Sequence, residues 1–374
     1  MNVKSLALRA VLLSIGLVVL TGAFYSIQLG PNMLPGGDLF QIWSGTHGLR
    51  IDYGGLQMFN PPWALVFLWP ITLFPFRISW SLYAATAFLL FVASVPRTGN
   101  KYLWAASVFL LLVSYQTLRQ LLDGNLEAVV IAGALLFLWA LRARSILGIA
   151  IAVSLLTAKL QETWLLLGVI GLWLAFNWPR ELKWKTAALI LLMWSPLAIW
   201  KGADWVSKLT QSPLIPQLVG GRHNVSITAT LERLGFEAWT RGLVAGILAL
   251  ATLLLIWKIR GRLTRFSVGA LIITGMLVSP YSSNTSVITP FAVGIVPLLA
   301  ENPKIGFSLV GLYNLAYLFL LSNELRYAWE PQYWTIALVI GWAVLFWVEA
   351  KTGPAELNVD SKLPSSNSGD RRIA

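Results

Sequence analysis

Long apolar runs recur from one end of this chain to the other, and they restrict its fold more than any other feature. The first run, Leu6 to Tyr25, is followed by others of bilayer-spanning length up to about residue 350. Only 12% of the residues are charged, whereas about 25% are charged in a typical soluble domain. So few charges cannot cover a water-facing surface. The sequence therefore predicts an all-α, polytopic integral membrane protein.

The first run is open to two interpretations. It follows Lys4 and Arg9 and could be a cleaved signal peptide. However, it is long for the apolar region of a signal peptide and lacks a clear cleavage site between small residues. We therefore expect an uncleaved first helix.

Several classes of site are excluded by what the sequence lacks. The chain has no cysteine, so thiol nucleophiles, thiolate metal sites and disulfides are absent. Its two histidines, His47 and His223, are too far apart for a helical zinc motif, and there is no P-loop or G-x-S-x-G motif. The net charge of +12 is not evidence for a nucleic-acid partner, because basic cytoplasmic loops explain such a charge in a membrane protein. We expect no nucleic-acid partner.

Basic clusters between the apolar runs predict how the chain crosses the membrane. We place the clusters near Arg97, Arg142, Arg180 and Lys258 on the inside, which gives about twelve transmembrane helices with both termini cytoplasmic. These helices are predicted near residues 6–26, 77–95, 102–118, 126–141, 146–158, 163–177, 186–200, 243–257, 266–279, 285–300, 305–321 and 333–350. A long outer loop is predicted from about residue 201 to residue 242.

Two segments do not join this series. Residues 61–76 are apolar but short, contain Pro70 and Pro75, and would invert every later loop if they crossed. We expect an outer-face interfacial helix there, with a true short crossing as the alternative. Residues 351–374 are polar and without apolar periodicity, so they are predicted to be a disordered cytoplasmic tail that follows a transmembrane domain over residues 1–350.

Polar residues outside the inner basic clusters gather on the predicted outer face. They lie in the first loop and in the segments RQLLDGNLE, AKLQE, GGRHNVS and SNELRYAWE. Arg119 and Lys159 adjoin apolar helix ends, where a charge costs free energy unless it is paired or hydrated. Each could extend its charge to the interface. The carboxylates and amides beside them favour a shared polar cavity that suits a phosphate group.

Asp38 is the carboxylate that this arrangement makes most interesting. Gly36 and Gly37 before it allow a tight turn and a close approach to a ligand, and aromatic residues follow it. A carboxylate partly removed from water has a raised pKa and accepts a proton more readily. The residues alone leave two interpretations open, a catalytic base and a structural acid, which would lie in a loop turn or cap the helix from Leu39 onward.

The segment from Gly36 to Phe76 resembles the first outer loop of GT-C superfamily glycosyltransferases. It looks most like family 87 and related polyprenyl-phosphate-mannose-dependent mannosyltransferases. The residues that match, in order, are Asp38, Trp43, Gly48, Tyr53, Asn60, Pro61 and Pro62. Later matches are the sequence Gly124-Asn125-Leu126-Glu127, close to a G-N-x-E form of a G-Q-x-N motif, then Lys159, Asn224-Val225-Ser226 with Arg233, and Ser279-Pro280. The resemblance covers roughly residues 1–300, and the Trp and His that often follow the last motif are missing.

The resemblance implies a GT-C-type bundle that acts as an inverting hexosyltransferase, most similar to mannosyltransferases. Such enzymes move a sugar from a polyprenyl-phosphate carrier to a lipid-linked or glycan acceptor on the outer face of the cell membrane. Asp38 would be the general base, and cations would stabilise the leaving phosphate. The residues expected to bind substrate are Trp43, Asn60, Arg119, Asn125, Glu127, Lys159, Arg222, His223 and Asn224. No cofactor is expected to be required. A divalent metal on Asp38, Asp52 and Asp123 is chemically possible but is not indicated by their spacing.

The alternative function is a lipid or lipid-linked sugar transporter without covalent chemistry. It predicts internal repeats with broken helices at matching positions and charges at mid-membrane. The sequence shows no such repeat, and its polar groups gather at one face. An assembly subunit would have no polar cavity and would tolerate replacement of Asp38. We therefore expect a glycosyltransferase.

Overall fold

The computed structural model of the protein describes residues 3–27, 35–54, 58–212, 214–221, 223–259 and 263–351. No strand forms in these ranges, and the one isolated antiparallel bridge joins Asn224 to Ser283. The predicted all-α class is therefore confirmed for the described part of the chain.

Nineteen α-helices follow one another along the described ranges. The first ten are α1 (Val3–Ser26), α2 (Gly37–Thr46), α3 (Pro62–Leu65), α4 (Trp69–Thr72), α5 (Phe76–Ser94), α6 (Lys101–Leu112), α7 (Tyr115–Asp123), α8 (Glu127–Ala143), α9 (Ile146–Leu156) and α10 (Leu160–Asn177). The others are α11 (Arg180–Gln211), α12 (Leu214–Val219), α13 (Ile227–Arg233), α14 (Ala238–Lys258), α15 (Arg265–Val278), α16 (Ile288–Pro290), α17 (Leu298–Glu301), α18 (Pro303–Asn314) and α19 (Asn323–Lys351). Short 3-10 or π-helical turns join several of them, among them Asn284–Val287 and Phe291–Ile295.

Seven helical stretches in the described residues are long and apolar enough to cross a membrane. The count is eight if α6 and α7, which meet at 53°, form one span. The seven are Phe76–Ser94, Ile146–Asn177, Arg180–Gln211, Ala238–Lys258, Asn284–Glu301, Pro303–Leu320 and Asn323–Lys351. They support a membrane protein, but the prediction of about twelve crossings is not confirmed. Two predicted helices, 146–158 and 163–177, belong to one uninterrupted helical stretch.

The stretch Ile146–Asn177 is uninterrupted but not straight. Lys159 has φ −134° and ψ 79°, which are far from helical values. The Thr163 hydroxyl donates to the carbonyl of Leu156 at 2.7 Å, although residues seven apart are separated by about 10 Å along a straight helix. The chain therefore changes direction at Lys159, next to the polar turn that the sequence predicts.

Helix α15 lies in the interior of the bundle. It packs against α10, α14 and α19, and nearly all of its side chains are removed from solvent. Gly269 on α15 faces Gly294 so closely that a Cβ on Gly269 would lie 3.0 Å from the Gly294 Cα. Small residues at such a contact allow the backbones of membrane helices to approach. This core holds α15 and the segment after Asn284 in a fixed relation.

The two ends of the bundle differ in chemistry. At one end, the guanidinium of Arg265 at the start of α15 donates to the carbonyl of Ser94, at the end of α5. Arg142 on α8 lies near Arg265 there, so basic residues from separate loops meet. At the other end lie Glu127 and Lys159, described below. Two basic residues from separate loops thus lie at the end of the bundle away from the buried charges of Glu127 and Lys159.

Helix α11 is longer than the sequence predicts. The expected helix ends at residue 200, with a loop to residue 242, but α11 continues to Gln211. The loop prediction is therefore wrong for residues 201–211. The polar residues of this segment favour a loop when they are considered one by one. However, Asp204, Ser207, Lys208 and Gln211 follow an i, i+3, i+4, i+7 pattern, which places them on one helical face. The rest of the expected loop contains α12 and α13.

The two exceptional segments differ in how much of them is described. Pro62–Thr72 forms a run of short apolar helical turns, about 16 Å long, which is too short to cross a hydrocarbon core of about 30 Å. Its position at the outer interface stays a prediction. The proposed tail falls outside the described residues, apart from Lys351, the last residue of α19.

Candidate active site

One cavity brings the residues predicted from separate outer segments together. We call it the main cavity, and its volume is about 410 Å³. Its walls come from α2, from the turn at Lys159, from the last turns of α11, from α12 and from residues 279–281. The lining residues are Asp38, Gln41, Ile42, Phe59, Asn60, Pro61, Asn125, Leu126, Ala158, Lys159, Leu160, Gln161, Trp205, Leu209, Leu218, Val219, Ser279, Pro280 and Tyr281.

Two glycines with left-handed backbone place Asp38 at this cavity. Gly36 (φ +80°) precedes α2, and its N–H donates to the carbonyl of Leu122 at 2.6 Å. Gly124 (φ +71°) ends α7, and a Cβ there would lie 2.7 Å from the Cβ of Leu39. Only glycine adopts such a conformation without strain and also permits the approach. The start of α2 is therefore held against the end of α7, with Asp38 in its first turn.

The Asp38 side chain does not cap its helix. The N-cap of α2 is Gly36, which provides no side-chain hydrogen bond, and Asp38 is the second residue within the helix. The capping interpretation left open by the sequence is therefore wrong. As an acid in the first turn, Asp38 still has a favourable interaction with the helix dipole.

The carboxylate of Asp38 is exposed to the main cavity but is surrounded by protein on its other sides. This partial burial raises the pKa of Asp38 above its ordinary value. Lys159 and the amide of Asn125 act in the opposite direction, whereas the nearby Asp123 and Glu127 raise the pKa further. Asp38 is thus a stronger proton acceptor than an ordinary surface aspartate.

Lys159 lies at the floor of the cavity, almost fully buried between two carboxylates. It forms an ion pair with Glu127, and its Nζ lies 3.6 Å from Glu162 Oε1. Both glutamates are fully buried. Three hydroxyls also donate to them: Thr285 (3.1 Å) and Ser286 (3.4 Å) to Glu127, and Thr289 (3.1 Å) to Glu162. Lys159 is therefore a fixed cation that already has two counter-charges, rather than a free one.

Two asparagines line the cavity beside these charges. The amide of Asn60 donates to the carbonyl of Ala158 at 2.5 Å, which fixes the turn before Lys159. The carbonyl of Asn125 accepts from Tyr83 and Gln120, and its side chain faces Asp38. Asn60 and Asn125 are thus placed where a ligand in the cavity could contact them.

Arg119 belongs to a different cluster. It pairs with Asp123 at 3.2 Å and with Glu330 of α19 at 3.4 Å, and it does not line the main cavity. Glu330 is buried and also accepts hydrogen bonds from Tyr115 (3.3 Å), Asn284 (2.9 Å), Arg326 (3.4 Å) and Trp334 (3.3 Å). The structure therefore places Arg119 in a buried network that joins α7 to α19, not beside Asp38 as the sequence predicts.

The side chain of Asn224 is buried and bonded to backbone groups. Its side-chain nitrogen donates to the carbonyls of Val219 and Pro280, both at 2.8 Å. Its side-chain oxygen accepts from the N–H groups of Ser226 (3.0 Å) and Ser282 (3.1 Å). These four bonds leave the amide little capacity for a substrate, contrary to the predicted role. They fasten the segment after α12 to the segment that contains Tyr281.

The other predicted binding residues lie outside the main cavity or outside the described residues. Trp43 donates to the carbonyl of Phe74 at 2.9 Å and packs with Phe40 and His47, so it holds α2 against the turn before α5. His223 is exposed and does not line the cavity. Arg222 lies outside the described residues.

The residues at these sites to which the sequence assigned no binding role include Tyr281, Glu162 and Glu330. Tyr281 lines the main cavity and lies near Asp38 and Lys159; burial raises its pKa, and Lys159 acts against that rise. Its signal was the Ser279-Pro280 motif that it directly follows. Glu162 stands beside Lys159 in the polar AKLQE segment. Glu330 ends the SNELRYAWE segment, and only the fold shows that it is buried.

The aspartates considered for a metal do not come together. Asp52 lines a separate pocket, and its Oδ1 accepts from the N–H of Gly54 at 2.8 Å. Within the described ranges, no group of three or more His, Asp or Glu side chains is arranged to hold a metal ion. Asp38 is the one carboxylate among the described residues that line the main cavity.

Comparison with known proteins identifies the family. No curated protein and no solved structure matches the chain. The family model described as glycosyltransferase family 87 matches residues 59–280, a segment that contains Asn60, Asn125 and Lys159. The match covers more than half of the 374 residues. With its all-helical fold and its polar cavity, this chain belongs to glycosyltransferase family 87.

Proposed function

We propose that the protein is an inverting hexosyltransferase whose active site lies on the outer face of the cell membrane. It would transfer mannose from a polyprenyl-phosphate carrier to a lipid-linked or glycan acceptor. The observation that carries this proposal is the main cavity, which is lined by both the carboxylate of Asp38 and the buried cation Lys159. A base and a cation in one cavity are what a sugar transfer from a phosphate requires.

Asp38 would act as the general base. It removes the proton of the acceptor hydroxyl while the hydroxyl oxygen attacks the anomeric carbon of the donor sugar. The bond from that carbon to the phosphate oxygen breaks, and its electron pair leaves with the polyprenyl phosphate. Because this is a single displacement, the anomeric configuration inverts. A raised pKa suits this role, because a carboxylate with a higher pKa is a stronger base toward the acceptor hydroxyl.

Lys159 would oppose the charge that develops on the leaving phosphate. It is the one cation among the described residues that line the main cavity. Its pairing with Glu127 and Glu162 fixes its position, so no rearrangement is needed as the charge develops. The same pairing reduces its net charge, so neutral donors such as the Tyr281 hydroxyl and the Gln161 amide would complete the phosphate site.

The carrier is inferred from the apolar walls of the cavity. Leu209 of α11 and Leu218 and Val219 of α12 line one side. In the preceding turns, α11 exposes large apolar side chains, including Leu192 and Ile199, along a face suited to lipid. A long isoprenoid chain could follow this surface while its phosphate enters the cavity. The basic residues at the opposite end of the bundle support an outer location for the site by the positive-inside rule.

A transfer assay with the Asp38→Asn variant tests the proposal. Isolated membranes would receive labelled polyprenyl-phosphate sugars, and the lipids would be extracted afterwards. We expect wild type to move label from the carrier to a new product. We expect Asp38→Asn to be slower by about 10²–10⁴-fold, the usual contribution of a positioned base.

The matched control is Glu232→Gln, which neutralises an exposed carboxylate on α13 that pairs with Arg241. We expect it to keep wild-type activity at equal expression. Equal transfer by wild type and Asp38→Asn would refute the role of Asp38. If the wild-type protein transfers label from none of the donors, the proposed donor class is refuted.

A further inference from the structure

A second cavity lies beside the main one. We call it the polar pocket; it has a volume of about 420 Å³, within the range of small-ligand sites. It lies between residues 52–54 and the last turns of α11. Its lining residues are Asp52, Tyr53, Gly54, Asp204, Ser207, Lys208, Gln211 and Ser212. The family match and the proposed mechanism assign no role to it.

The lining of the polar pocket is unusual for this protein. Charged residues make up only 12% of the chain, yet three of the eight lining residues are charged, and all the other side chains except that of Gly54 carry a hydroxyl or an amide. The carboxylates accept hydrogen bonds, Lys208 donates them, and the serines, Tyr53 and Gln211 do both. This mixture matches neighbouring sugar hydroxyls, each of which is both a donor and an acceptor.

The charges around the polar pocket balance. Asp52 and Asp204 supply two negative charges, and Lys208 supplies one positive charge. Lys201, just outside the lining, pairs with Asp204 at 2.8 Å and supplies the second positive charge. A neutral polyhydroxyl ligand fits such a lining, because it needs hydrogen-bond partners and no counter-charge.

The helix α11 forms a wall of both cavities. Asp204, Ser207, Lys208 and Gln211 are on one face and line the polar pocket, while Trp205 and Leu209, about a quarter turn around the helix, line the main cavity. On the opposite wall, the hydroxyl of Tyr53 in the polar pocket donates to the carbonyl of Asn60 in the main cavity at 2.7 Å. The two cavities are therefore direct neighbours.

We propose that the polar pocket binds a second sugar of the acceptor, so that the acceptor is a glycan of at least two units. This inference rests on the proposed function and adds the substrate class to it. The sugar whose hydroxyl is deprotonated would lie in the main cavity at Asp38. The adjoining unit would lie against Asp204 and Gln211 and hold the acceptor in register.

Direct binding tests the pocket independently of catalysis. The full-length protein in nanodiscs would be dialysed against labelled linear gluco-, manno- and galactotrisaccharides, wild type beside an Asp204→Ala/Gln211→Ala double variant. We expect wild type to bind at least one trisaccharide, and the double variant to bind it about tenfold more weakly. The matched control is Glu181→Ala, which removes an exposed acid of the same helix that pairs with Lys185. We expect this control to bind as wild type does.

Kinetics distinguish failure of this inference from failure of the proposed function. With a glycan acceptor, the double variant should raise KM about tenfold and leave kcat unchanged, while a single-sugar acceptor should show no difference. Equal KM for wild type and double variant with every glycan, or no trisaccharide binding by wild type, would overturn the pocket assignment. A wild-type protein that binds trisaccharide but transfers no sugar would instead overturn the proposed function.

Discussion

Replacing Lys159 by methionine tests the central cluster of the site. Methionine preserves most of the side-chain volume but leaves Glu127 and Glu162 buried and facing each other without a cation. Removing one partner of a buried ion pair costs about 3–5 kcal/mol, because the remaining charge has lost its compensation. Thr285 and Thr289 still donate to these carboxylates, so we expect a loss of about 3 kcal/mol in the free energy of unfolding. That is more than a hundredfold in the ratio of folded to unfolded protein.

A second substitution makes this reasoning refutable. Adding Glu127→Gln to Lys159→Met removes one of the two opposed charges and keeps a group that Thr285 can bond. The double variant should therefore recover about 1–2 kcal/mol relative to the single one. The measurement is the denaturation midpoint in one detergent, with Lys185→Met as the control. Lys185 and its partner Glu181 are both exposed, so that change should leave the midpoint close to that of the wild type.

Two results would refute the reasoning. If Lys159→Met unfolds at the same midpoint as Lys185→Met, the buried cluster does not depend on its cation. If the double variant is less stable than the single one, the two carboxylates are not repelling each other in the absence of the lysine.

Three further predictions concern the surroundings of the cavity. The rate of transfer should fall on the acid side as the pH drops through the raised pKa of Asp38, because only the ionised carboxylate accepts a proton; the midpoint of a pH–rate profile should lie above 3.8, and a midpoint at or below that value would contradict the assignment. Gly124→Ala should lower stability by about 2–4 kcal/mol and reduce turnover, because its Cβ meets α2 at a positive φ; Gly246→Ala, with open space around it, should be neutral or stabilising in the same melting assay. Glu330→Gln should cost about 3 kcal/mol, because Arg119 and Arg326 lose a shared buried counter-charge, and an unchanged denaturation midpoint would show that those arginines are compensated elsewhere.

The gathering of polar groups at one end of the helices can be predicted from the sequence, because hydropathy locates the helix ends. Asp38, Asn125 and Lys159 were assigned to one face from separate segments, and all three line the main cavity. Asn125 and Lys159 lie beside the ends of apolar helices, so hydropathy alone locates them within a few residues. The turn at Lys159 was predicted for the same reason.

Prediction of binding residues from the sequence failed where a polar side chain bonds to residues that are far away in sequence. Arg119 was grouped with Lys159, but its partner Glu330 is 211 residues away in sequence. Asn224 matched a family motif, yet its amide bonds backbone groups on two segments. No local pattern distinguishes a polar side chain that faces a ligand from one that holds two loops together. The extension of α11 was missed because its polar face was interpreted as loop.

The length of α11 has a consequence for the energy of substrate capture. Thirty-two residues make a helix about 48 Å long, which exceeds a hydrocarbon core of about 30 Å by roughly 18 Å. With the exposed apolar side chains of Leu192 and Ile199 among the lipid tails, the last turns, which hold Trp205 and Leu209, would place the cavity wall near the membrane surface. Extracting an isoprenoid chain from a bilayer would cost about 0.8 kcal/mol for each buried CH₂. With the proposed donor, a cavity at that height would receive the sugar and phosphate while the chain stays dissolved in the membrane, so the enzyme would not meet that cost.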